Sequence, residues 1–285
     1  MRIAVVLALL LFPAIALAKL QRWETLPMPP PMPAATTTGF VDVPDAKIYY
    51  ATYGKGEPVV LLHGGLGNSD HWGFQLPELA ASYQVIAIDS RNQGRSTMSK
   101  SKSKLTYRTM AADVLAVLDA LGIQKAAVIG WSDGGAIALE LGIHHADRVS
   151  KLFVFGTNYS AKGSKERKAG SSPTFNAYAV KCKQDFQRMS KTPNFAAVVD
   201  SLMPVWKGSQ GITPDHLRGI KAYTVVADGD HDEIIHLDHI KEMAGLIPGS
   251  KLVVFENTSH FALWQDPAAF NKAVLDFMAH RAPKH

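Results

Sequence analysis

A serine between glycines is the feature of this sequence that most directly suggests chemistry. Ser132 lies in the string Gly-Trp-Ser-Asp-Gly-Gly, residues 130–135. The string follows an apolar run that predicts a strand over residues 126–129, and it precedes a helical pattern over residues 136–143. Glycines at this spacing permit a very tight turn from strand to helix, which lifts the serine hydroxyl above the sheet. The context favours a nucleophile over an ordinary helix-capping serine.

A serine hydroxyl becomes an effective nucleophile only when a base removes its proton, and two later segments offer the partners. Asp232 and His260 each follow an apolar run that predicts a strand. Both therefore lie at the carboxyl edge of the predicted sheet, where open parallel sheets bind ligands. The sequence predicts a catalytic triad of Ser132, Asp232 and His260 in that chain order. Asp230, in the same short loop, is the alternative acid.

Attack by a serine also requires two hydrogen-bond donors for the negative charge that develops on the substrate oxygen. The backbone N–H of Asp133, directly after the nucleophile, is one predicted donor of this oxyanion hole. The other is Gly65, in a His-Gly-Gly-Leu-Gly loop that follows a predicted strand. We expect Asp133, Trp131, Trp206 and Phe261 to contact the substrate, although each aromatic residue is also compatible with a place in the core.

The sequence gives little support for a metal ion or another cofactor. Asp228, Asp230 and Asp232 alternate like the start of a calcium loop, but the glycine and the distal glutamate of such a loop are absent from their places. A single cysteine, Cys182, excludes an internal disulfide and a thiolate metal cluster. We therefore predict neither a metal ion nor a cofactor.

The elements that must position these residues follow from short apolar runs that alternate with helical patterns. A hairpin is predicted within residues 40–53. Further strands, buried on both faces, are predicted at residues 58–62, 85–88, 126–129, 152–155, 222–227 and 252–255. Residues 109–121 show the clearest apolar stripe of a helix. This alternation predicts an α/β protein with a mostly parallel, doubly wound sheet.

One interval, at about residues 157–218, is too long for a plain connection between a strand and a helix. It contains scattered apolar positions, among them Phe186, Leu202 and Trp206, beyond a stretch that is rich in Ser, Lys and Gly. We interpret the interval as a helical insertion after the sixth strand that lies over the edge of the sheet as a lid.

The first residues have the composition of an export signal. Arg2 precedes an apolar run over residues 3–12, and Ala-Leu-Ala at residues 16–18 matches a cleavage site. The apolar run is shorter than the roughly 20 residues of a membrane span. We expect residues 1–18 to be a signal peptide and the mature protein to be secreted or periplasmic, with no stable membrane span.

Composition fits a globular protein behind a proline-rich segment. The chain is 47% hydrophobic and 19% charged, which excludes a disordered protein. Residues 19–38 contain five prolines, which favour extended backbone, and we interpret them as a tether or surface arm outside the core. Residues 39–285 form the predicted domain. A net charge of +5 gives no strong reason to expect nucleic acid as a partner, and the sequence leaves the oligomeric state open.

Together these residues resemble the α/β-hydrolase superfamily over about residues 40–282. Residues 89–96 are similar to the superfamily's Asp-x-Arg-Gly-x-Gly-x-Ser turn, with Asn92 where glycine is usual. Residues 130–135 resemble the serine esterases of the valacyclovir hydrolase (biphenyl hydrolase-like) type. In that type the aspartate after the nucleophile is held to bind the substrate's α-amino group. The resemblance thus implies a preference for amino-acid esters through Asp133, unless that residue contributes only its amide and a local hydrogen bond.

The resulting hypothesis is a serine hydrolase of small carboxylic esters, including amino-acid esters, thioesters or lactones. Ser132 would attack the carbonyl carbon, His260 would accept the proton and later donate it to the leaving alcohol, and Asp232 would orient the imidazole. An alternative keeps the triad but hydrolyses a carbon–carbon bond of a ring-cleavage product, or performs cofactor-free perhydrolysis. A hydrolase-fold binding protein without turnover is disfavoured, because no triad residue type is missing.

Overall fold

An eight-stranded sheet organises the computed structural model, which describes residues 20–97, 105–166, 172–191, 193–208 and 211–281. The predicted signal peptide, residues 1–18, lies outside the described residues. In chain order the strands are β1 (Thr37–Val43), β2 (Ala46–Tyr53), β3 (Glu57–Leu62), β4 (Tyr83–Ile88), β5 (Ala126–Trp131), β6 (Val149–Phe155), β7 (Tyr223–Gly229) and β8 (Lys251–Phe255).

The strands lie side by side in the order β1-β2-β4-β3-β5-β6-β7-β8. β1 pairs antiparallel with β2, and β2 pairs antiparallel with β4. The other neighbours, from β4 through β3 to β8, are parallel. All residues of the central strand β5 are buried, as its continuous apolar run predicts. The mostly parallel, doubly wound sheet predicted from the sequence is confirmed.

Helices cover both faces of the sheet and separate its core into two layers. They are α1 (Leu76–Ala80), α2 (Tyr107–Ala120), α3 (Asp133–His144), α4 (Pro173–Met189), α5 (Phe195–Lys207), α6 (Pro214–Arg218), α7 (Leu237–Leu246), α8 (Ala262–Gln265) and α9 (Pro267–Ala279), with short 3₁₀ turns at Arg22–Glu24, Ser69–Trp72 and Ala161–Gly163. One core layer contains Met110 of α2 and Ile137 of α3, and the other contains Phe186 of α4 and Phe270 of α9. Within the described part of the chain, no helix combines the length and the apolar character that crossing a bilayer requires.

Helix α2 shows how local sequence sets these elements. The Thr106 side chain accepts a hydrogen bond from the Thr109 N–H, which caps the first turn. Met110, Val114 and Val117 then recur at helical spacing and are buried against the sheet. The helix therefore begins two residues before the range that the apolar stripe alone predicts, because the stripe does not reveal the cap.

The predicted insertion between β6 and β7 contains α4, α5 and α6. Helix α4 packs its buried residues Tyr178, Cys182 and Phe186 into the core layer that contains Trp131 of β5. The Cys182 side chain is 1% exposed, and burial raises the pKa of its thiol. These helices lie where the sequence predicts a lid, and the function of a lid stays a prediction.

Residues 20–36, called the arm below, belong to the predicted proline-rich segment, whose last two residues, 37 and 38, are instead the start of β1. Leu26 and Met32 of the arm pack against the core layer that contains α4. The carbonyl oxygen of Pro30 approaches Gly73 so closely that a Cβ there would lie 2.1 Å from it. The arm therefore runs along the surface of the domain and contacts it.

The turn after β4 explains the departure from the superfamily pattern at Asn92. This residue has a φ of +67°, a conformation that glycine adopts without strain and asparagine tolerates better than most residues. Asp89 fixes the same turn, because its carboxylate accepts hydrogen bonds from the N–H groups of Ser69 and Arg95, each at 2.7 Å. The substitution thus preserves the turn.

Candidate active site

Ser132 lies at the sharp turn between β5 and α3. Its φ of +54° and ψ of −118° are strained for a residue with a side chain. A Cβ at Gly134 would lie 2.1 Å from the Leu62 carbonyl oxygen, and one at Gly130 would lie 2.2 Å from the Gly134 oxygen. The glycines are therefore needed for close backbone approach on both sides of the turn. This geometry presents the serine at the carboxyl edge of the sheet.

His260 and Asp232 meet beside this turn. His260 Nδ1 lies 2.7 Å from Asp232 Oδ2, and both side chains are buried. The other carboxylate oxygen accepts hydrogen bonds from the N–H groups of Ile234 and Ile235, at 2.5 and 2.8 Å. Burial opposes ionisation of Asp232, but the charge and hydrogen bond of His260 outweigh it and lower the pKa of Asp232. Asp232 is therefore an ionised partner that can hold one imidazole tautomer.

Asp230, the alternative acid, lies elsewhere. Its Oδ1 is 2.8 Å from His231 Nδ1 and accepts a hydrogen bond from the Thr258 N–H at 3.1 Å. The structure therefore brings Asp232, and not Asp230, to the ring of His260.

A cavity of about 800 Å³, including its mouth, opens above Ser132. It is lined by Gly64, Gly65, Tyr107, Trp131, Ser132, Asp133, Asn158, Ser164, Lys165, Phe175, Tyr178, Trp206, Ile234, Ile235 and His260. Within the described part of the chain the Ser132 hydroxyl makes no hydrogen bond to His260. Contacts between a nucleophile and its base are often long before substrate binds. The observation that links Ser132 with His260 is therefore that both line this cavity.

Contacts behind the cavity hold the His260 segment. Trp131 Nε1 donates to the His260 carbonyl oxygen at 3.0 Å, and the His260 N–H donates to Glu233 Oε2 at 3.2 Å. Gly156, at a φ of +57°, leaves room for the imidazole, since a Cβ there would lie 3.1 Å from two ring atoms. Sequence reasoning missed Gly156, although a glycine directly after an apolar strand was the available signal. Trp131 thus both lines the cavity and anchors the base.

The residues of the predicted oxyanion donors, Gly65 and Asp133, line the same cavity as Ser132. Gly65 lines the cavity, and its carbonyl oxygen accepts a hydrogen bond from the Tyr178 hydroxyl at 2.9 Å. A Cβ at Gly65 would lie 2.5 Å from Asp133 Oδ2, so a larger residue there would displace the Asp133 carboxylate. Asp133 is the first residue of α3, and its N–H therefore has no partner within the helix. This placement is compatible with the oxyanion roles predicted for both amides.

The Asp133 side chain faces the insertion. Trp206 Nε1 of α5 lies 2.9 Å from each carboxylate oxygen, and the Tyr107 hydroxyl donates to Oδ1 at 2.8 Å. Burial raises the pKa of Asp133, although both hydrogen bonds oppose that shift. Each oxygen of this carboxylate therefore already has a hydrogen-bond partner within the protein.

Lys165 places a positive charge in the cavity. Its Nζ donates to the Asp232 carbonyl oxygen at 2.5 Å, and its backbone N–H donates to the Ile234 oxygen at 2.8 Å. Among the described residues that line the cavity, it is the only lysine or arginine. The sequence places it in a stretch rich in Ser, Lys and Gly, where it is indistinguishable from a solvated loop residue.

Phe261 does not line the cavity, contrary to its predicted contact with substrate. It is fully buried, and its ring packs 5.8 Å from that of Trp131 and 5.2 Å from that of Tyr178. Its ring points into the core although it is adjacent to His260. Tyr107, which sequence reasoning missed, lines the cavity instead because α2 packs against α3.

A second buried carboxyl lies behind Asp232. Asp228 is fully buried, and its Oδ1 accepts a hydrogen bond from the Gly229 N–H at 2.8 Å. Burial, and then the negative charge of Asp232, raise the pKa of Asp228 well above its usual value. The pKa values of the two neighbouring carboxyl groups are thus shifted in opposite directions, upward for Asp228 and downward for Asp232.

Comparisons with known proteins agree on the fold. Residues 57–172 match the family model described as alpha/beta hydrolase fold. The 2-hydroxy-6-oxo-6-phenylhexa-2,4-dienoate hydrolase of Burkholderia cepacia is 28% identical over 284 residues, covering 86% of this chain and 98% of that protein. The structure of Est816, an N-acyl homoserine lactone degrading enzyme, has a TM-score of 0.70 and 29% identity, covering 84% of this chain and all of that one. The meta-cleavage product hydrolase CumD of Pseudomonas fluorescens IP01 has a TM-score of 0.72 and 19% identity, covering 84% and 97%.

Proposed function

Because this chain belongs to the α/β-hydrolase superfamily, we propose that it is a serine hydrolase in which Ser132, His260 and Asp232 act on a small carbonyl substrate. The main support is the 2.7 Å contact between His260 and Asp232 beside the cavity that Ser132 lines. Ser132 attacks the carbonyl carbon while His260 accepts its proton. The amides of Gly65 and Asp133 receive the negative charge of the tetrahedral intermediate.

The substrate class that we propose is a ketone that carries a carboxylate, cleaved at the carbon–carbon bond beside the carbonyl. The dienoate of the Burkholderia relative has both groups, and the similarity extends over most of both chains. After attack, the bond to the neighbouring carbon breaks, and that carbon takes the proton from His260. Water then hydrolyses the acyl-serine. Lys165 supplies a charge that pairs with the carboxylate.

The charged groups of the cavity, Asp133 and Lys165, argue against amino-acid esters as the substrate class. An α-amino group would have to share the Asp133 carboxylate with Trp206 and Tyr107, both of which are within hydrogen-bond distance of it. It would also share the cavity with the ammonium group of Lys165. Asp133 is better explained by a contact within the protein than by selection of an amine.

Hydrolysis of esters, thioesters or lactones is the second candidate. It is favoured by the similarity to Est816, whose whole chain is covered at 29% identity. The same attack by Ser132 then releases an alcohol, a thiol or the ring oxygen, and His260 protonates that leaving group. Only the leaving atom distinguishes this reaction from carbon–carbon cleavage.

A substrate panel tests the proposal. The full chain is assayed with a 2-hydroxy-6-oxo-dienoate, p-nitrophenyl butyrate and an N-acyl homoserine lactone, and it is labelled with a fluorophosphonate. We expect labelling, and kcat/KM highest for the dienoate; a preference for the ester or lactone selects the second candidate. Turnover that survives Ser132→Ala contradicts the triad, and a wild-type protein without label or turnover contradicts a serine hydrolase.

We also propose that the protein is exported to the periplasm or the medium after removal of residues 1–18. The support is the sequence pattern of those residues. The N-terminal residue of the protein purified from each cell fraction tests this. An intact Met1 in the cytoplasmic fraction contradicts it.

A further inference from the structure

The arm contacts the loop that carries Asp232. The Trp23 ring stacks on the imidazole of His231, with ring centroids 3.8 Å apart and planes 13° from parallel. His231 directly precedes Asp232 in the chain, so this contact holds the backbone one residue from the carboxylate that His260 requires.

The arm is also connected to the segment that carries His260. Gln265 Nε2 donates to the carbonyl oxygens of Thr25, at 2.7 Å, and of Trp23, at 3.3 Å, and lies 3.0 Å from the Ser259 hydroxyl. Its Oε1 accepts a hydrogen bond from the Ser259 N–H at 2.7 Å. One buried amide thus joins the backbone of the arm to the residue directly before His260.

A third contact lies at the surface. The Arg22 guanidinium pairs with the carboxylate of Asp266, the residue after Gln265. Because both groups are partly exposed, solvent screens this pair. We therefore attribute the specific attachment of the arm to the two catalytic loops to the contacts of Trp23 and Gln265.

We propose that Trp23 and Gln265 are positioning residues. Through them the arm holds the Asp232 loop and the His260 segment so that the hydrogen bond between His260 and Asp232 is kept. This rests on the proposed function, which gives those two residues their catalytic roles. Neither Trp23 nor Gln265 lines the cavity, so neither contacts substrate. Their loss leaves the cavity intact but allows the two loops to shift relative to each other, and a displacement of about 1 Å can lower a rate about 100-fold.

Point variants of the full chain test this inference. We expect Trp23→Ala and Gln265→Leu each to lower kcat about 10- to 100-fold while KM changes less than about threefold. Trp23→Phe keeps a stacking ring and should restore kcat to within about threefold of the wild type. Met28→Ala is the matched control, because Met28 belongs to the same arm and its side chain is 50% exposed.

Several results would overturn the inference. They are an unchanged kcat in both Trp23→Ala and Gln265→Leu, a rise in KM alone, an equal loss of kcat in Met28→Ala, or a failure of Trp23→Phe to restore activity. Trp23→Ala changes a half-buried residue outside both core layers and should fold normally, as thermal unfolding would confirm.

Hydrogen exchange separates this inference from the proposed function. We expect the Ser259 amide, which is bonded to Gln265 in the wild type, to exchange faster in Trp23→Ala and Gln265→Leu but not in Met28→Ala. Unchanged exchange in both variants overturns the hold of the arm even if no substrate is turned over. Absence of turnover in the wild type contradicts only the proposed function.

Discussion

The indole N–H of Trp206, on α5 of the insertion, lies 2.9 Å from both carboxylate oxygens of Asp133, the residue after Ser132. The insertion is thereby fastened to the first turn of α3, at the wall of the cavity. Opening the cavity at this point would require the Asp133 carboxylate to lose a charge-assisted hydrogen bond.

Trp206→Phe retains an aromatic ring but removes the donor. We expect it to lower the free energy of unfolding by about 1 to 3 kcal/mol, because a buried carboxylate loses a partner. Urea denaturation of the wild type and the variant measures this difference. Tyr107→Phe, which removes the other donor to Asp133 and leaves Trp206 in place, is the matched comparison. Equal stability of Trp206→Phe and the wild type would show that the contact carries no energy.

Substitution of the two acidic candidates distinguishes their roles. Asp232→Asn should lower kcat by about 10³- to 10⁴-fold, because the amide favours the wrong tautomer of His260. Asp230→Asn should lower kcat less than about tenfold, since its partner His231 is outside the cavity and partly exposed. Steady-state kinetics of both variants, checked for folding by thermal unfolding, provides the measurement. Similar losses in both would reject the assignment of Asp232.

Lys165→Met tests the charge of the cavity. We expect KM for a carboxylate-bearing substrate to rise about 10- to 100-fold, the value of one hydrogen bond between charged groups. Turnover of neutral p-nitrophenyl butyrate should be unaffected, which also checks that the loss of the bond to the Asp232 carbonyl is harmless. Lys162→Met, at a neighbouring exposed position, is the control. Equal losses on charged and neutral substrates would contradict a carboxylate site.

Asp228 predicts a dependence of stability on pH. Its pKa is raised in the folded protein, so above its usual pKa the unfolded chain releases the proton that the folded protein retains. This group therefore contributes a loss of stability as pH rises from about 4, at up to about 1.4 kcal/mol per pH unit until the folded-state pKa is reached. Asp228→Asn should remove that contribution.

Urea midpoints of the wild type and Asp228→Asn between about pH 4 and pH 7 test this difference. We expect the urea midpoint of Asp228→Asn to exceed that of the wild type by an amount that increases as pH rises. A gap that is constant or that widens in favour of the wild type would show that Asp228 is ionised in the folded protein.

Local patterns sufficed for the strands and for the turn at Ser132. The apolar runs specify buried strands because both faces of the sheet are covered by helices. The glycines at positions 130 and 134 indicate the turn because backbone atoms approach them too closely for any side chain. Asp232 could be placed in the correct loop because β7 ends directly before that loop. Such features depend on residues near one another in the chain.

Features set by distant contacts could not be predicted. Lys165 reaches the cavity because its backbone bonds to Ile234, nearly seventy residues later in the chain. Phe261 is adjacent to His260, yet its ring turns into the core, since adjacency fixes position but not direction. Gln265 connects two segments at opposite ends of the sequence, and nothing in either segment alone indicates the pairing.

Cys182 lies on the buried face of α4, and its thiol can therefore report on the position of that helix. An alkylating reagent needs a deprotonated, accessible sulfur. While α4 packs against the core, the Cys182 thiol is buried and its pKa is raised, so it does not react. Since the chain has one cysteine, each modification event records the separation of that helix from the body of the enzyme. The rate of alkylation under native conditions thus measures how often α4 separates from the sheet, which is the motion that the predicted lid requires.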